Sequence, residues 1–420
     1  MKDYIHEFLL LKAEERKLFL CSSLYYFCLL TAYFLLKPLR DEMGILGGVE
    51  NLPWMFTATF GAMCLTVPVF GLMVKNWARK KLLTIIYCFF GLNLLIFYFL
   101  FTARVAVEHV AFLFFIWTSV FNLFAVSIFW SFMGDLFSPE QSRRLFGGIA
   151  AGGSLGALVG PLMASYLANA IGPFQLLPLA SILLLFSVLC VHGLLRMKNR
   201  SSDPLQCSLP IGGNIWQGLL DVWKSPYLRA VVSFVLLYSF LHTLLYLEQA
   251  AYISASISSS RERTVLFARI DLWVNVLSLG VQFFLTGRIF KYLGIAFSLA
   301  LIPLLVSIGL INISLFNNLT LVILTLGLIR AGNFSILRPG KENLFTVLID
   351  EQRYKAKNFI DTTVFRGGDV LSSWIYFAAQ SMGLSLIGIS IMAVPVALLW
   401  SLNGFKLGQG YQNRWLSGRI

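Results

Sequence analysis

Long apolar runs, separated by short polar connections, dominate the hydrophobic pattern of the chain. A helix needs about 20 predominantly apolar residues to cross the hydrocarbon core of a bilayer. Runs of this kind recur along the whole sequence, and they predict twelve transmembrane helices. The expected bounds are 18–36, 53–74, 82–102, 110–134, 145–168, 176–195, 230–253, 270–286, 295–315, 319–337, 364–381 and 384–401.

The composition supports lipid as the solvent of most of the chain. Of the 420 residues, 58% are hydrophobic and 13% are charged, whereas roughly a quarter of the residues in soluble domains are charged. The sequence has four histidines and no Gly-x-x-x-x-Gly-Lys-Ser loop for binding phosphates. We therefore expect no enzymatic activity, no cofactor and no metal site.

Lysine and arginine residues are concentrated in alternate connections, and this sets the expected orientation. Residues 1–17 and 75–81 each carry four of them, whereas residues 103–109 carry one. Because basic residues near helix ends are retained in the cytoplasm, we expect both termini on the cytoplasmic side of a bacterial inner membrane. The net charge of +13 then reflects topology and contact with lipid, and no nucleic-acid partner is expected.

A polar linker divides the chain near its middle. It spans residues 196–229 and separates six predicted helices in 1–195 from six in 230–420. Short internal echoes agree with this division, since Leu136-Phe137-Ser138 and Gly152-Gly153 recur as Leu344-Phe345-Thr346 and Gly367-Gly368. The arrangement resembles the major facilitator architecture, an all-α membrane fold of two six-helix halves.

Helix 5 carries glycine at every fourth position. Gly148, Gly152, Gly156 and Gly160 share one helix face, so a neighbouring helix can approach closely. Helix packing is the favoured interpretation of this stripe. A second interpretation stays open, because Gly147, Gly156, Gly160 and Pro161 resemble a pattern found in this helix of facilitator-superfamily antiporters.

Ionisable residues at membrane depth predict the functional positions, since each needs a partner or an aqueous cavity. Arg330 in helix 10, with Asn333 one turn later, and Glu248 in helix 7 are predicted to bind a solute. A buried ion pair of Arg330 with Glu248 is the structural alternative. Coupling or gating is predicted for Asp135, His242, Asp271 and Asp361, and hydrogen bonding between helices is the alternative for His242.

Three short stretches resemble the bacterial and plastid ATP/ADP translocase family. They are Leu39-Arg40-Asp41, Lys341 to Phe345, and Ala356 to Asp361. The resemblance implies a nucleotide transporter related to the major facilitator superfamily, in which Lys357 occupies the place of a lysine implicated in nucleotide handling. The acid that the family carries in helix 7 is similarly placed to Glu248.

The leading hypothesis is a secondary transporter that works by alternating access, in which two six-helix bundles rock about a central cavity and expose one site to either side in turn. A cationic cavity built from Lys37, Arg40, Arg330 and Lys357 would suit an anionic solute, with nucleotide exchange as its most specific form. The main alternative is a proton-coupled exporter of metabolites or drugs, and a third is a membrane scaffold. We expect a small-molecule solute and membrane lipid as partners, and a monomer.

Overall fold

The computed structural model describes residues 15–76, 79–200, 222–347, 356–357 and 359–416, and these residues form helices without strands. Twelve long helices occur within the described ranges, which confirms the predicted all-α, twelve-helix fold. Their bounds are Arg16–Leu46 (α1), Leu52–Asn76 (α2), Arg79–Thr102 (α3), Val107–Leu136 (α4), Pro139–Ile171 (α5), Leu176–Arg200 (α6), Pro226–Ser256 (α7), Ser260–Phe284 (α8), Thr286–Phe316 (α9), Leu319–Phe345 (α10), Phe365–Ser381 (α11) and Leu386–Leu416 (α12).

The length and apolar character of these helices make the protein a multi-pass membrane protein. In the described part of the chain, ten of the twelve have the length and hydropathy of a membrane span. Of the other two, α2 has 25 residues, and the regular part of α11 has 17. A span of about 20 residues is the usual requirement, and the turn that precedes α11 extends its helical path.

Several helices extend eight or more residues beyond their predicted ends, and an ion pair joins two of these extensions. Helix α1 continues past 36 to Leu46, and α8 begins at Ser260 rather than at 270. The extensions carry charged side chains that the hydrophobic pattern excludes from a membrane helix. In the structure, Glu42 in the first extension accepts two hydrogen bonds from Arg263 in the second, at 2.6 and 2.7 Å, so the charges neutralise each other.

Two π-helical turns interrupt the regular geometry of the last helices. Asn333–Leu337 lies inside α10, and Ile360–Val364 leads directly into α11. In the first turn the Arg338 N–H donates to the Asn333 carbonyl, and in the second the Phe365 N–H donates to the Ile360 carbonyl. Both are bonds across five residues, and such turns occur frequently at functional sites.

The chain divides into two compact units. The first consists of Met1–Gly48, Gly61–Pro210 and Ile257–Leu272, and the second of Val49–Phe60, Ile211–Ser256 and Trp273–Ile420. The first residues of α2 therefore belong to the second unit, and the first residues of α8 belong to the first. The division predicted from sequence, 1–195 and 230–420 with a linker at 196–229, remains a prediction, and residues 201–221 of that linker lie outside the described part.

The two units repeat the same pattern of helix neighbours. In the first unit α1 packs against α4, α5 and α6, and α3 packs against α6. In the second unit α7 packs against α10, α11 and α12, and α9 packs against α12. Each pair in the second unit is the corresponding pair of the first unit, six helices later. This correspondence agrees with the short sequence echoes in α4–α5 and α10–α11.

In the first unit, α5 lies unusually close to α1 along the glycine stripe. A Cβ atom at Gly152 would lie 2.5 Å from the Ser23 carbonyl oxygen, and one at Gly156 would lie 2.7 Å from that of Phe27. A Cβ atom at Gly160 would lie 2.7 Å from the Cβ atom of Phe34. Gly148 is half-buried on the same helix. Only the absence of side chains allows this approach.

Candidate functional site

The side chain of Tyr238 on α7 is the centre of a charged cluster in the second unit. It is buried, and Arg330 and Arg338 of α10 and Arg366 and Asp369 of α11 lie within electrostatic range of it. Three helices therefore contribute to one cluster, which we call the arginine cluster. It contains the arginine that the sequence singled out.

Asp369 fixes one side of the arginine cluster. One of its carboxylate oxygens accepts hydrogen bonds from Ser239 at 2.7 Å and Thr243 at 3.1 Å, both on α7. The other oxygen accepts a hydrogen bond from Arg366 at 3.3 Å. Gly368 permits this contact, because a Cβ atom there would lie 2.8 Å from the Ser239 hydroxyl oxygen. Asp369 thus joins α11 to α7 and orients the guanidinium of Arg366.

The π-helical turns set the direction in which two of the arginines emerge. Arg338 follows the turn Asn333–Leu337 directly, and Arg366 follows the turn Ile360–Val364 by two residues. An extra residue in a turn rotates the following residues by about 100° relative to a regular helix. Asn333, which was predicted to bind solute, begins the first of these turns and is half-buried.

Charge makes the arginine cluster suitable for an anion. Arg330, Arg338 and Arg366 bring three positive charges to the surroundings of Tyr238, and Arg366 is hydrogen-bonded to Asp369. A guanidinium presents parallel N–H donors that match the oxygens of a phosphate or carboxylate. Aromatic rings adjoin the cluster, with Phe365 and His242 at ring-centre distances of 5.9 and 5.7 Å from Tyr238. His242, predicted to act in coupling, therefore lies beside the arginine cluster.

The predicted cations of α1 lie in the first unit, and both are ion-paired. Lys37 contacts Asp271 at 2.5 Å and Asp41 at 3.8 Å. Arg40 contacts Asp41 at 2.9 Å, and its guanidinium lies over the ring of Phe115 at 3.9 Å. These contacts join two cations to two carboxylates.

The two predicted residues of the connection between α10 and α11 form local ion pairs in the second unit. Lys357 contacts Glu342 at 2.5 Å, with exposed side-chain fractions of 37% and 44%. Asp361 contacts Lys341 at 2.5 Å. Residues 348–355, which follow α10 and precede Lys357 in sequence, are outside the described part. An ion pair as exposed as that of Lys357 with Glu342 contributes little to stability.

The two remaining predicted carboxylates are buried. Glu248 on α7 is 0% exposed, and Ser390 on α12 donates a hydrogen bond to it at 2.8 Å. The contact with Ser390 takes the place of the ion pair with Arg330 that sequence reasoning held as its structural alternative. Asp135 is buried near the end of α4 in the first unit.

Sequence reasoning missed Arg366 and Asp369. Both fall inside the predicted helix 364–381, and the criterion that identified Arg330, an ionisable residue at membrane depth, applies equally to them. The described residues contain no group of three or more His, Cys, Asp or Glu side chains arranged to hold a metal ion.

This architecture is similar to that of known proteins. The family model of the Major Facilitator Superfamily matches residues 18–340. No curated protein matches the chain by sequence. Among solved structures, a bacterial homologue of the iron transporter ferroportin in its inward-facing state is similar, with 16% identity, a TM-score of 0.64, and coverage of 95% of this chain and 98% of that chain.

Two further structures have comparable similarity. The nucleoside transporter NupG shares 13% identity at a TM-score of 0.62, covering 96% of this chain and 99% of that chain. An inward-facing, unoccupied bacterial homologue of the human lysosomal transporter Spinster shares 11% identity at a TM-score of 0.59, with the same coverage of 96% and 99%. At such identities the similarity concerns the fold, and together with the family match it shows that the chain belongs to the major facilitator superfamily.

Proposed function

We propose that the protein is a secondary transporter that carries a small anionic solute across the membrane by alternating access, and that nucleotides are the first class to test. The arginine cluster carries this proposal. In it, Arg330, Arg338, Arg366 and the carboxylate of Asp369 lie around the buried side chain of Tyr238.

Like charges that lie close together at membrane depth repel each other and are costly to bury. Guanidinium groups stay protonated at any accessible pH, and charges at membrane depth need a counter-charge or water. An anion with two or more negative charges provides such a counter-charge. Because each guanidinium can donate two parallel hydrogen bonds, phosphate and carboxylate groups fit it better than a halide does.

The nucleotide form of the proposal rests on the sequence resemblance to the ATP/ADP translocase family. A nucleotide has both a polyphosphate for the arginines and a planar base for an aromatic surface. Phe365 and His242, beside Tyr238, offer that surface. The similar structures are those of a nucleoside transporter and homologues of an iron and a lysosomal transporter, so this fold serves different solutes and side chains must decide among them.

A second candidate is a proton-coupled exporter. It is favoured by Glu248, a carboxylate that is 0% exposed and has a hydroxyl group, that of Ser390, as its hydrogen-bond donor. For either candidate we propose a monomer in a bacterial inner membrane with both termini in the cytoplasm. The orientation rests on the distribution of basic residues.

Counterflow in proteoliposomes tests the function directly. Purified protein is reconstituted into vesicles, and uptake of labelled ATP is measured with and without unlabelled ADP inside. Exchange predicts uptake that depends on internal ADP, and inorganic pyrophosphate should compete with it because the arginines bind the phosphate groups. Adenosine, which has the same base without phosphate, is the matched control solute.

A variant pair assigns the uptake to the arginine cluster. Arg330→Gln should abolish ATP uptake, whereas Arg288→Gln should preserve it, because Arg288 is exposed on α9 and donates a hydrogen bond to the Phe284 carbonyl. Uptake of adenosine in preference to ATP, or equal ATP uptake by both variants, would contradict an anion site at this cluster. Uptake driven by a pH gradient without internal ADP would instead favour the proton-coupled exporter.

A further inference from the structure

Two cysteine side chains meet between α1 and α6 in the first unit. The Cys21 thiol donates a hydrogen bond to the Cys190 carbonyl oxygen at 3.6 Å, and the two sulfur atoms are within hydrogen-bonding range of each other. A Cβ atom at Gly193, three residues further along α6, would lie 3.7 Å from the Cys21 sulfur. This sulfur therefore lies against the backbone of α6, although 169 positions separate Cys21 from Cys190 in sequence.

Both thiols of this pair are accessible to small molecules. Each cysteine is half-buried. Cys21 follows Arg16, the first residue of α1, by five positions, which is about 7.5 Å along the helix axis. On α6, Arg196 and Lys198 follow Cys190. Because basic residues mark the polar ends of membrane helices, the pair lies toward the polar end of both helices, where a small uncharged molecule can reach it from water or from lipid.

The other cysteines of the described part are placed differently. Cys28 lies two turns after Cys21 on α1, about 10 Å along the axis, and is 7% exposed. It is within electrostatic range of Cys190, whereas Cys21 is hydrogen-bonded to that residue. Cys64 on α2 and Cys88 on α3 are exposed. Proximity therefore selects Cys21 as the partner of Cys190, and the exposed cysteines provide references within the same chain.

Two thiols in contact can form a disulfide when an oxidant removes two electrons. The S–S bond is about 2.05 Å long, so sulfur atoms that start within hydrogen-bonding range have a short distance to close. A thiol that donates a hydrogen bond stabilises a thiolate beside it, and the thiolate is the form that attacks an oxidant. Since Cys21 is the donor, the Cys190 sulfur reacts first. The cytoplasm keeps thiols reduced, so the resting pair is a dithiol.

We propose that Cys21 and Cys190 are a redox-active thiol pair, which hydrogen peroxide oxidises to a disulfide that joins α1 to α6. The Cys190 sulfur attacks one peroxide oxygen, the O–O bond breaks, and the released hydroxide takes the Cys190 proton and leaves as water. The Cys21 sulfur then attacks the sulfur of this sulfenic acid, the S–O bond breaks, and a second water leaves with the Cys21 proton. Thiol–disulfide exchange with a small thiol, which becomes the new disulfide, restores both cysteines.

The disulfide constrains the helix at the centre of the first unit. Helix α1 packs against α4, α5 and α6, and the link closes a covalent loop that contains most of this unit. A cross-link between positions far apart in sequence restricts the unfolded chain. Oxidation should therefore raise the melting temperature of the protein, and a reducing agent should reverse the increase.

Oxidation of the wild-type protein by hydrogen peroxide tests the pair without any solute. Reconstituted protein is treated with peroxide, the remaining thiols are blocked with N-ethylmaleimide under denaturing conditions, and the unreduced peptides are analysed by mass spectrometry. We expect a peptide pair linked through Cys21 and Cys190, which dithiothreitol separates. Oxidised protein in detergent should also melt at a higher temperature than the same sample after dithiothreitol.

Two variants test the order of the steps. Cys21→Ser should lose the disulfide and accumulate a sulfenic acid on Cys190, which dimedone traps. Cys88→Ser is the matched control, because Cys88 is exposed on α3, and it should form the disulfide as the wild type does. A dimedone adduct missing from Cys190 in Cys21→Ser would overturn the assigned order.

The wild-type protein alone decides whether the pair exists. If both Cys21 and Cys190 still react with N-ethylmaleimide after peroxide treatment, the proposal is overturned. A link from Cys190 to Cys28, or to Cys207, which lies outside the described part, would contradict it equally. No solute is present in these experiments, so failure of ATP counterflow would leave the result unaffected.

Discussion

The carboxylate of Glu42 accepts two hydrogen bonds from the guanidinium of Arg263, although 221 positions separate the two residues in sequence. The pair is almost fully buried, with exposed side-chain fractions of 0% and 9%. Arg263 also donates to the Ile257 carbonyl at 2.9 Å. The interaction therefore joins the end of α1 to the start of α8 within the first unit.

Removing one member of this pair should destabilise the protein strongly. Glu42→Gln leaves the guanidinium of Arg263 buried without its counter-charge, and breaking a buried ion pair in this way costs about 3–5 kcal/mol. We expect a lower melting temperature in detergent and a lower yield of monodisperse protein. Both can be measured by differential scanning fluorimetry and size-exclusion chromatography.

Arg261→Gln is the matched control for that variant. Arg261 lies two residues before Arg263, is exposed, and donates a long hydrogen bond of 3.4 Å to the Asn169 carbonyl. Its replacement should change the free energy of unfolding by no more than about 0.5 kcal/mol, as is usual for surface substitutions. The melting temperature should therefore stay close to that of the wild type. Equal melting temperatures for Glu42→Gln and the wild type would show that the pair does not stabilise the fold.

A single methyl group should disturb the contact between α1 and α5. In Gly156→Ala the new Cβ atom would lie 2.7 Å from the Phe27 carbonyl oxygen and 2.9 Å from the Thr31 backbone nitrogen. Backbone atoms cannot move aside as a flexible side chain can, so the helices must separate. Overpacking of this kind typically costs about 1–3 kcal/mol, and the amount of folded protein in membranes should fall.

Gly147→Ala provides the comparison on the same helix. A Cβ atom at Gly147 would have no neighbour within 4 Å, and alanine favours helix more than glycine does by about 1 kcal/mol. The variant should be at least as abundant as the wild type. If Gly156→Ala were equally abundant and stable, the close approach of α1 and α5 would not be needed for folding.

Replacement of Arg330 should separate a role in solute binding from a structural one. Arg330→Lys keeps the charge but loses the planar fork, and hydrogen bonds to charged groups contribute about 1.5–3 kcal/mol. We therefore expect at least about a tenfold weaker uptake of ATP in proteoliposomes, with normal membrane abundance. Reduced abundance of both Arg330→Lys and Arg330→Ala would instead assign a structural role, and full transport by both would refute solute binding.

Reporter fusions test the proposed orientation of the helices. Reporters fused after Lys81 and Lys291 should be cytoplasmic, because basic residues cluster at these positions. Those fused after Gly172 and Asn317, at the ends of α5 and α9, should be external. Alkaline phosphatase and green fluorescent protein give opposite readouts on the two sides. Two or more reversed reporters would contradict the placement of both termini in the cytoplasm.

The hydrophobic pattern was sufficient to predict the number and order of the helices. It failed where charge enters a helix, since it ended helix 1 at 36 and began helix 8 at 270, while α1 reaches Leu46 and α8 begins at Ser260. Among the charges there, Glu42 is paired with Arg263 and Lys37 with Asp271, and both partners are distant in sequence. Pairing of this kind depends on tertiary structure, and no local window of residues contains it.

Prediction of the candidate site was partial for a related reason. Arg330 was identified because an arginine at membrane depth is unusual, and it belongs to the arginine cluster. The predicted partners Lys37 and Arg40 instead form ion pairs in the first unit. The π-helical turns beside Arg338 and Arg366 left no signal in the hydrophobic pattern, because one extra residue in a turn does not change which residues are apolar.

Because of the π-helical turn Asn333–Leu337, the number of residues between Arg330 and Arg338 affects the arginine cluster as much as their identity does. Deleting one residue from it would restore regular α-helix and turn Arg338 by about 100° relative to Arg330, while every arginine stayed in the chain. In an alignment of related chains, a one-residue gap at this place therefore marks a different charge arrangement. Conservation of both arginines preserves the cluster only when the seven residues between them are conserved in number.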